Sequence, residues 1–323
     1  MKKYSHAWIA FMAIKRLEVI ATTEDENVIK GVSEDVRKEA KALVKWFKNY
    51  RDFVIQGSWY PDEVFKDMKT SHIVKYHAVK ENPELELGKL PTTHSIAEMM
   101  KKHRDVLDTP FKFDQGNCAE RCEALSHSIV DNFKMLHRED RGCPIATTGN
   151  HIAMRFFILS HYVADCHMPL HCDSRAFSED ANIHGDIEKK WEDQIIKSYD
   201  IDRDNNRFFY DPKGYPLLLD KATPFVLGIE NSLKTKKYSH GWGGKNGSTL
   251  TYMKAVSQYS FLFATYLVPQ EFTTKQNMTD FMEFTEWGKD FDKYNGMIFM
   301  DAIESITRIW LHVWMKYKTW LKE

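Results

Sequence analysis

Five side chains able to ligate a metal fall within 28 residues: His161, Asp165, His171, His184 and Glu188, in HYVADCHMPLHCDSRAFSEDANIHGDIE. His161 and Asp165 stand four apart, as do His184 and Glu188. On a helix that spacing places two side chains on one face, one turn apart, so each pair can reach a single ion. Pro169 turns the chain between the pairs and lets His171 fold back toward them. Neutral imidazole combined with carboxylate suits zinc best, although other divalent ions fit. A lone His/Asp pair at this spacing is usually a surface or capping pair. His161, however, lies in the apolar run MRFFILSHYVADC, where polar groups are costly to bury unless paired or metal-bound.

The elements that must position these groups read as helices. Residues 4 to 20 place Trp8, Ile9, Phe11, Met12, Ile14 and Leu17 at near-helical spacing. Ser33 opens a second helix with Val36, Ala40, Leu43, Phe47 and Val54 on one stripe, ended by Gly57. Pro61 imposes an irregular backbone before Asp62. Residues 81 to 92 read as a loop. Further helices are expected at about 94 to 107, 118 to 137, 151 to 167 (stopped by Pro169) and 183 to 198, with a polar loop over 172 to 182. Residues 199 to 247 are the least regular part, with one hairpin around RFFYDPKGYPLLL. Helices at about 249 to 268, 273 to 289 and 295 to 321 close the chain. No repeat, linker or domain boundary is visible. The expectation is an all-α, multi-helix single domain over 1–323 with an irregular insertion around 199–247.

A chain of 323 residues, 43% hydrophobic, can bury a substantial core. Its formal net charge of -1 does not advertise nucleic-acid or membrane-surface binding. Five cysteines, at 118, 122, 143, 166 and 172, are an odd number without a CxxC pair. They read as reduced thiols rather than a zinc ribbon or disulfide framework. No apolar run reaches the roughly 18 residues of a transmembrane helix. The N-terminus, MKKYSHAWIAFMAIKRLE, reads as an amphipathic helix and lacks a small-residue cleavage site. That points to the cytoplasm, or to the mature form of a secreted protein. No protein partner is implied.

The order His-x-x-x-Asp-x-x-x-x-x-His followed by His-x-x-x-Glu resembles the zinc-dependent phospholipase C and single-strand-specific zinc nuclease superfamily. HYVADCHMPLH is similar to its central signature, including the Pro-Leu-His ending. The resemblance implies an α-helical protein holding three zinc ions. It also implies an upstream loop Asp, matched by Asp62 in GSWYPDEV, and a His about 14 or 15 residues later, matched by His77 in KYH. His72 competes, at ten residues. A first-helix His is matched by His6. The family's N-terminal residue, normally Trp, ligates through its amino nitrogen and carbonyl oxygen. Here that residue is Met1, a departure that keeps the same backbone atoms. By resemblance, one zinc would take Asp62, His77, His161 and Asp165. A second would take His171, His184 and Glu188 with waters. The third would take Met1 and His6 and share Asp165.

This constellation implies hydrolysis of phosphate esters by a metal-bound hydroxide, with Asp62 doubling as general base. Clustered zinc ions about 3.5 to 4 Å apart suit an in-line displacement. The His-x-x-x-Glu ending and the 13-residue step from His171 to His184 resemble the phospholipase C side of the family. Trp59, Tyr60 and Phe65 flank Asp62 and could wall a choline-type head group or stack a base, or simply anchor a loop. The alternatives are a zinc-dependent nuclease or nucleotidase on single-stranded nucleic acid and a non-catalytic, zinc-stabilised binding module. A carboxylate-bridged di-iron protein would need paired Glu-x-x-His repeats, which are missing. His127, His137, His151 and His240 read as structural or surface histidines, and Lys234, Lys236 and Lys237 as a solvated charge run.

Overall fold

A computed structural model describes residues 1–78, 111–138, 147–175, 183–240, 248–269, 271–272 and 276–323. The chain is mostly helical. It runs through α1 (Lys3–Thr22), α2 (Glu26–Ile29), α3 (Glu34–Lys48) and α4 (Phe53–Tyr60), then a π turn (Pro61–Phe65) and a 3₁₀ turn (Lys69–His72). Strands β1 (Lys75–Ala78) and β2 (Phe111–Gln115) form an antiparallel pair. Next come α5 (Cys118–His137), α6 (Gly149–Cys166), the single turn α7 (Pro169–Cys172) and α8 (Ile183–Ser198). A short pair, β3 (Ile201–Asp202) and β4 (Arg207–Phe208), precedes α9 (Pro224–Thr235) and α10 (Thr249–Leu267). The chain closes with α11 (Met278–Phe284), α12 (Glu286–Lys289) and α13 (Phe291–Trp320).

Helix α1 is buried almost all round, from Tyr4 through Ile20. A helix with apolar residues on every side belongs inside a bundle. It packs against α3, α4, α8 and α13, and α6 lies beside α4, α5 and α13. The core between them is aromatic. The Trp310 ring centroid sits 4.7 Å from that of Phe47 and 5.8 Å from that of Phe157. The Trp310 indole N–H donates to the Phe156 carbonyl at 2.9 Å, so this large side chain is buried with its polar atom satisfied. The Arg16 guanidinium joins α1 to the Glu304 carboxylate of α13 at 2.7 Å and to the Leu233 carbonyl of α9 at 2.5 Å.

Several expectations need adjustment. The predicted helix from Ser33 to Gly57 is two helices, α3 and α4, with a turn over residues 49–52. Ser33 caps the first as expected, accepting from the Val36 amide. Gly57 does not end a helix; it lies inside α4, where α4 crosses α6. A Cβ at Gly57 would stand 2.5 Å from the Cβ of Phe157, so the two backbones approach too closely for any side chain there. The described part of the span 199–247 is less irregular than predicted. It holds the short β3–β4 ladder and α9, whose Thr223 cap and first-turn Pro224 are ordinary helix-start signals. Its apolar face, Phe225, Val226, Ile229 and Leu233, is buried. In place of one helix over 273–289, the described part of that span holds α11 and α12, divided at Thr285, whose hydroxyl caps α12. The expected helix at 94–107, the loop at 81–92 and Cys143 lie outside the described residues.

Replacing Gly57 by Ala gains about 1 kcal/mol of helix propensity. It also forces an overpacked contact costing about 1–3 kcal/mol. Gly57→Ala should therefore lower the midpoint of urea denaturation. A raised midpoint would show that α4 and α6 separate without cost.

Candidate metal centre

Four segments meet at one end of α6. His161 and Asp165 project from it a turn apart, His171 comes back from α7, and His184 and Glu188 stand on α8. The α1 side supplies Met1 and His6. The π turn supplies Asp62, and the 3₁₀ turn supplies His72. A π turn exposes local backbone irregularity of the kind often found at functional positions. Here it begins at Pro61 and carries Asp62 to within 3.6 Å of His161 on α6.

The Asp165 carboxylate is the hub, and it is 1% exposed. Its Oδ2 lies 2.8 Å from His72 Nδ1 and 3.1 Å from His161 Nε2. Its Oδ1 faces the other way, 3.5 Å from both the Met1 amino nitrogen and His6 Nε2, and 3.7 Å from His171 Nδ1. Asp62 Oδ1 stands 3.6 Å from His161 Nε2 and 3.8 Å from His72 Nδ1. Beyond Oδ1, His171 Nε2 and His184 Nε2 are 2.9 Å apart. Glu188 Oε1 is 2.8 Å from His184 and 2.6 Å from the Met1 ammonium.

Among the described residues, three sets have ligand atoms within 4.8 Å of one another: His6, Asp62 and His161; His72, His161 and Asp165; and His171, His184 and Glu188. The donor chemistry fits divalent metal. Both ring nitrogens of His6, the Oδ1 of Asp165 and the Nδ1 of His171 are buried without a hydrogen-bond partner. Unsatisfied buried polar atoms are rare in folded proteins and call for a partner. His161 is set up for the same purpose. Its Nδ1–H donates to the Ser58 carbonyl at 2.7 Å, which leaves the Nε2 lone pair facing the cluster. His6 stacks on it, with ring centroids 3.9 Å apart.

The electrostatics of Asp165, Glu188, His6 and His171 agree. Burial works against the Asp165 charge, but His161, the amino terminus and His171 hold its carboxyl well below the usual range. Glu188 is likewise held low against its burial, chiefly by the amino terminus and His184. Burial, then His161, keeps His6 well below the usual imidazole range, and burial lowers His171 to about 3. Both rings are therefore neutral and available as ligands. The amino group of Met1 is pushed up to about 10; the carboxylates of Glu188 and Asp165 outweigh its burial. Partial burial raises Asp62, with His161 pulling the other way and Asp165 adding to the rise.

Eight of the nine expected ligands meet here; His77 does not. Its side chain is 51% exposed and its ring contacts Asp114 and Ser174. His72 takes the expected place. The reason is the strand: Val74 and Tyr76 point into the core, so period-two alternation turns His77 outward. That alternation was present in the sequence and outweighs the residue count. The aromatic wall is also displaced. The cavity over the cluster, about 720 Å³, is lined by Ile73, Leu170 and polar side chains, with Trp59, Tyr60 and Phe65 outside its wall. Trp59 lies under the Lys3 ammonium at 4.7 Å, Tyr60 packs on Phe65, and Phe65 faces solvent. The Ser58 carbonyl, a backbone group, has no sequence signal. No family model, curated protein or solved structure matches the chain.

Zinc at 100 times its dissociation constant should stabilise the chain by about 2.7 kcal/mol per site. Thermal denaturation with zinc and with a chelator should show a higher midpoint with zinc, and Asp165→Asn should remove most of that difference. Equal midpoints with and without zinc would mean that the cluster holds no metal.

Proposed function

We propose that the chain is a zinc-dependent phosphoric ester hydrolase of the phospholipase C and zinc nuclease kind. One observation carries this reading: the two oxygens of Asp165 face different ligand sets, so one carboxylate joins neighbouring sites beneath an open cavity. The resemblance of HYVADCHMPLH and its following His-x-x-x-Glu supplies the family and leans toward phospholipase C. Zinc bound here would supply Lewis acidity toward a phosphoryl oxygen and a lowered pKa for a coordinated water.

The chain's own groups would do the rest. Asp62, 42% exposed at the floor of the cavity, is the carboxylate placed to accept the proton of the attacking water. Its raised pKa moves it toward the range in which a base works near neutral pH. Ser58, through its carbonyl, fixes the tautomer of His161. Ile73 and Leu170 exclude water from one wall.

A nuclease or nucleotidase stands beside the phospholipase reading because the aromatic side chains lie off the cavity while lysines line it. That lining suits an anion at least as well as a choline group. Hydrolysis of phosphatidylcholine vesicles should be compared with that of single-stranded DNA and RNA, with zinc or after chelation. Chelator-sensitive release of diacylglycerol assigns a phospholipase C, and release of nucleotides assigns a nuclease. Bound zinc without turnover of any of these esters would leave a metal-stabilised binding module. Asp62→Asn should lower kcat about 100- to 10,000-fold, as expected for loss of a general base, in preparations matched to the wild type in metal content. Full turnover in that variant would exclude Asp62 as the base.

A further inference from the structure

The cavity is lined by two cations that the proposed chemistry does not use. Lys69, on the 3₁₀ turn, and Lys75, on β1, both line it. Other cations of the same cavity are committed. Lys2 lies 4.0 Å from Glu188. Lys3 donates to the Asn206 side chain and covers the Trp59 ring. The Arg175 guanidinium is clamped by the Asp173 carboxylate, at 2.7 Å, and by the carbonyls of Val268 and Pro269. Lys69 and Lys75 form no ion pair with a carboxylate among the described residues, although Asp62, Glu63 and Asp67 border the same cavity.

Their positions are built rather than incidental. Lys75 pairs in register with Gln115 of β2, and its side chain is half-buried. The base of β2 is locked onto the turn: the Asn117 amide donates to the Thr70 carbonyl at 2.8 Å. Gly116, at φ +107°, lies so close to the Ile73 carbonyl that a side chain would collide with it. His72 and the two lysines therefore share one rigid turn-and-ladder unit. Burial, then the neighbouring Lys69 charge, pulls Lys75 below the usual ammonium range. Lys75 is half-buried and Lys69 is exposed beside the same cavity; their like charges repel, and an anion between them relieves that repulsion.

We propose that Lys69 and Lys75 form a second anion subsite, which holds a phosphate group of the substrate other than the one bound at the Asp165 cluster. The inference rests on the hydrolase reading and deepens it: the preferred substrate carries at least two phosphates. A phosphorylated head group and a nucleotide chain share that chemistry.

The test uses matched substrates that differ by one phosphate. In the nucleotide arm, thymidine 5′-(p-nitrophenyl phosphate) is compared with its 3′-phosphorylated form. In the head-group arm, glycerophosphoinositol is compared with glycerophosphoinositol 4-phosphate. In at least one arm the wild-type chain should favour the second phosphate by about tenfold or more in kcat/KM, mainly through KM. The arm that shows it identifies the source. In Lys69→Met and Lys75→Met the preference should fall toward unity, and Lys75→Arg should restore it. No preference in either arm, or a preference that survives both Met variants, would overturn the subsite. If no substrate is hydrolysed in a chelator-sensitive way, the hydrolase reading has failed and the subsite is judged by calorimetry. Thymidine 3′,5′-bisphosphate should then bind more tightly than thymidine 5′-phosphate, with the difference lost in the Met variants; equal affinities would overturn it.

Discussion

Burying the Asp165 carboxylate is the constraint around which this molecule is arranged. A carboxylate with 1% exposure has lost its water, and it stays ionised only where compensating charge and donors surround it. The cluster gathers three carboxylates, Asp62, Asp165 and Glu188, around two imidazoles, His6 and His171, that burial keeps neutral. That imbalance is tolerable in a site that recruits positive charge from outside. In an interior without such charge it would favour loosening of the cluster.

The packing around the hub follows from this need. Four segments distant in sequence must bring polar side chains to one point, and each is held by apolar contacts made elsewhere. Gly57 lets α4 lie directly on α6, which brings the Ser58 carbonyl to His161. The His6 ring stacks on His161 because α1 runs beside α6. The aromatic layer of Phe47, Phe157 and Trp310 holds α6 against α3 and α13 further along. Removing a large side chain from that layer would reach the site through helix position as well as through the roughly 3–5 kcal/mol typical of such truncations.

Much of the fold was legible because its helices obey local rules. The bounds of α5, α8 and α10 match the expected ones to within a residue, and Ser248 caps α10. Helix α9 was missed because the polar, Gly-rich stretches on both sides concealed a short amphipathic face. The π turn was legible only as irregularity at Pro61. Within the site, i, i+4 spacing brought out the His161/Asp165 and His184/Glu188 pairs without help. His72 and His77 could not be separated by counting residues, since that choice depends on a three-dimensional path through a turn and a strand. Tyr76 beside His77 carried the decisive hint. The lysine pair was unreadable, because two lysines six residues apart have no fixed relation until β1 and the 3₁₀ turn are placed.

The burial of α1 bears on how the chain reaches its native state. An apolar helix at the start of the chain is covered by α13, whose first residue follows 269 positions after the last residue of α1. At typical translation speeds of 5–20 residues per second, that interval is roughly 10–50 s. Throughout it, α1 has no native cover on the side that α13 will occupy, and the ligand set spans His6 to Glu188. A nascent chain of this topology keeps apolar surface uncovered for that interval, and the side chains of the candidate centre come together only after Glu188 has been made.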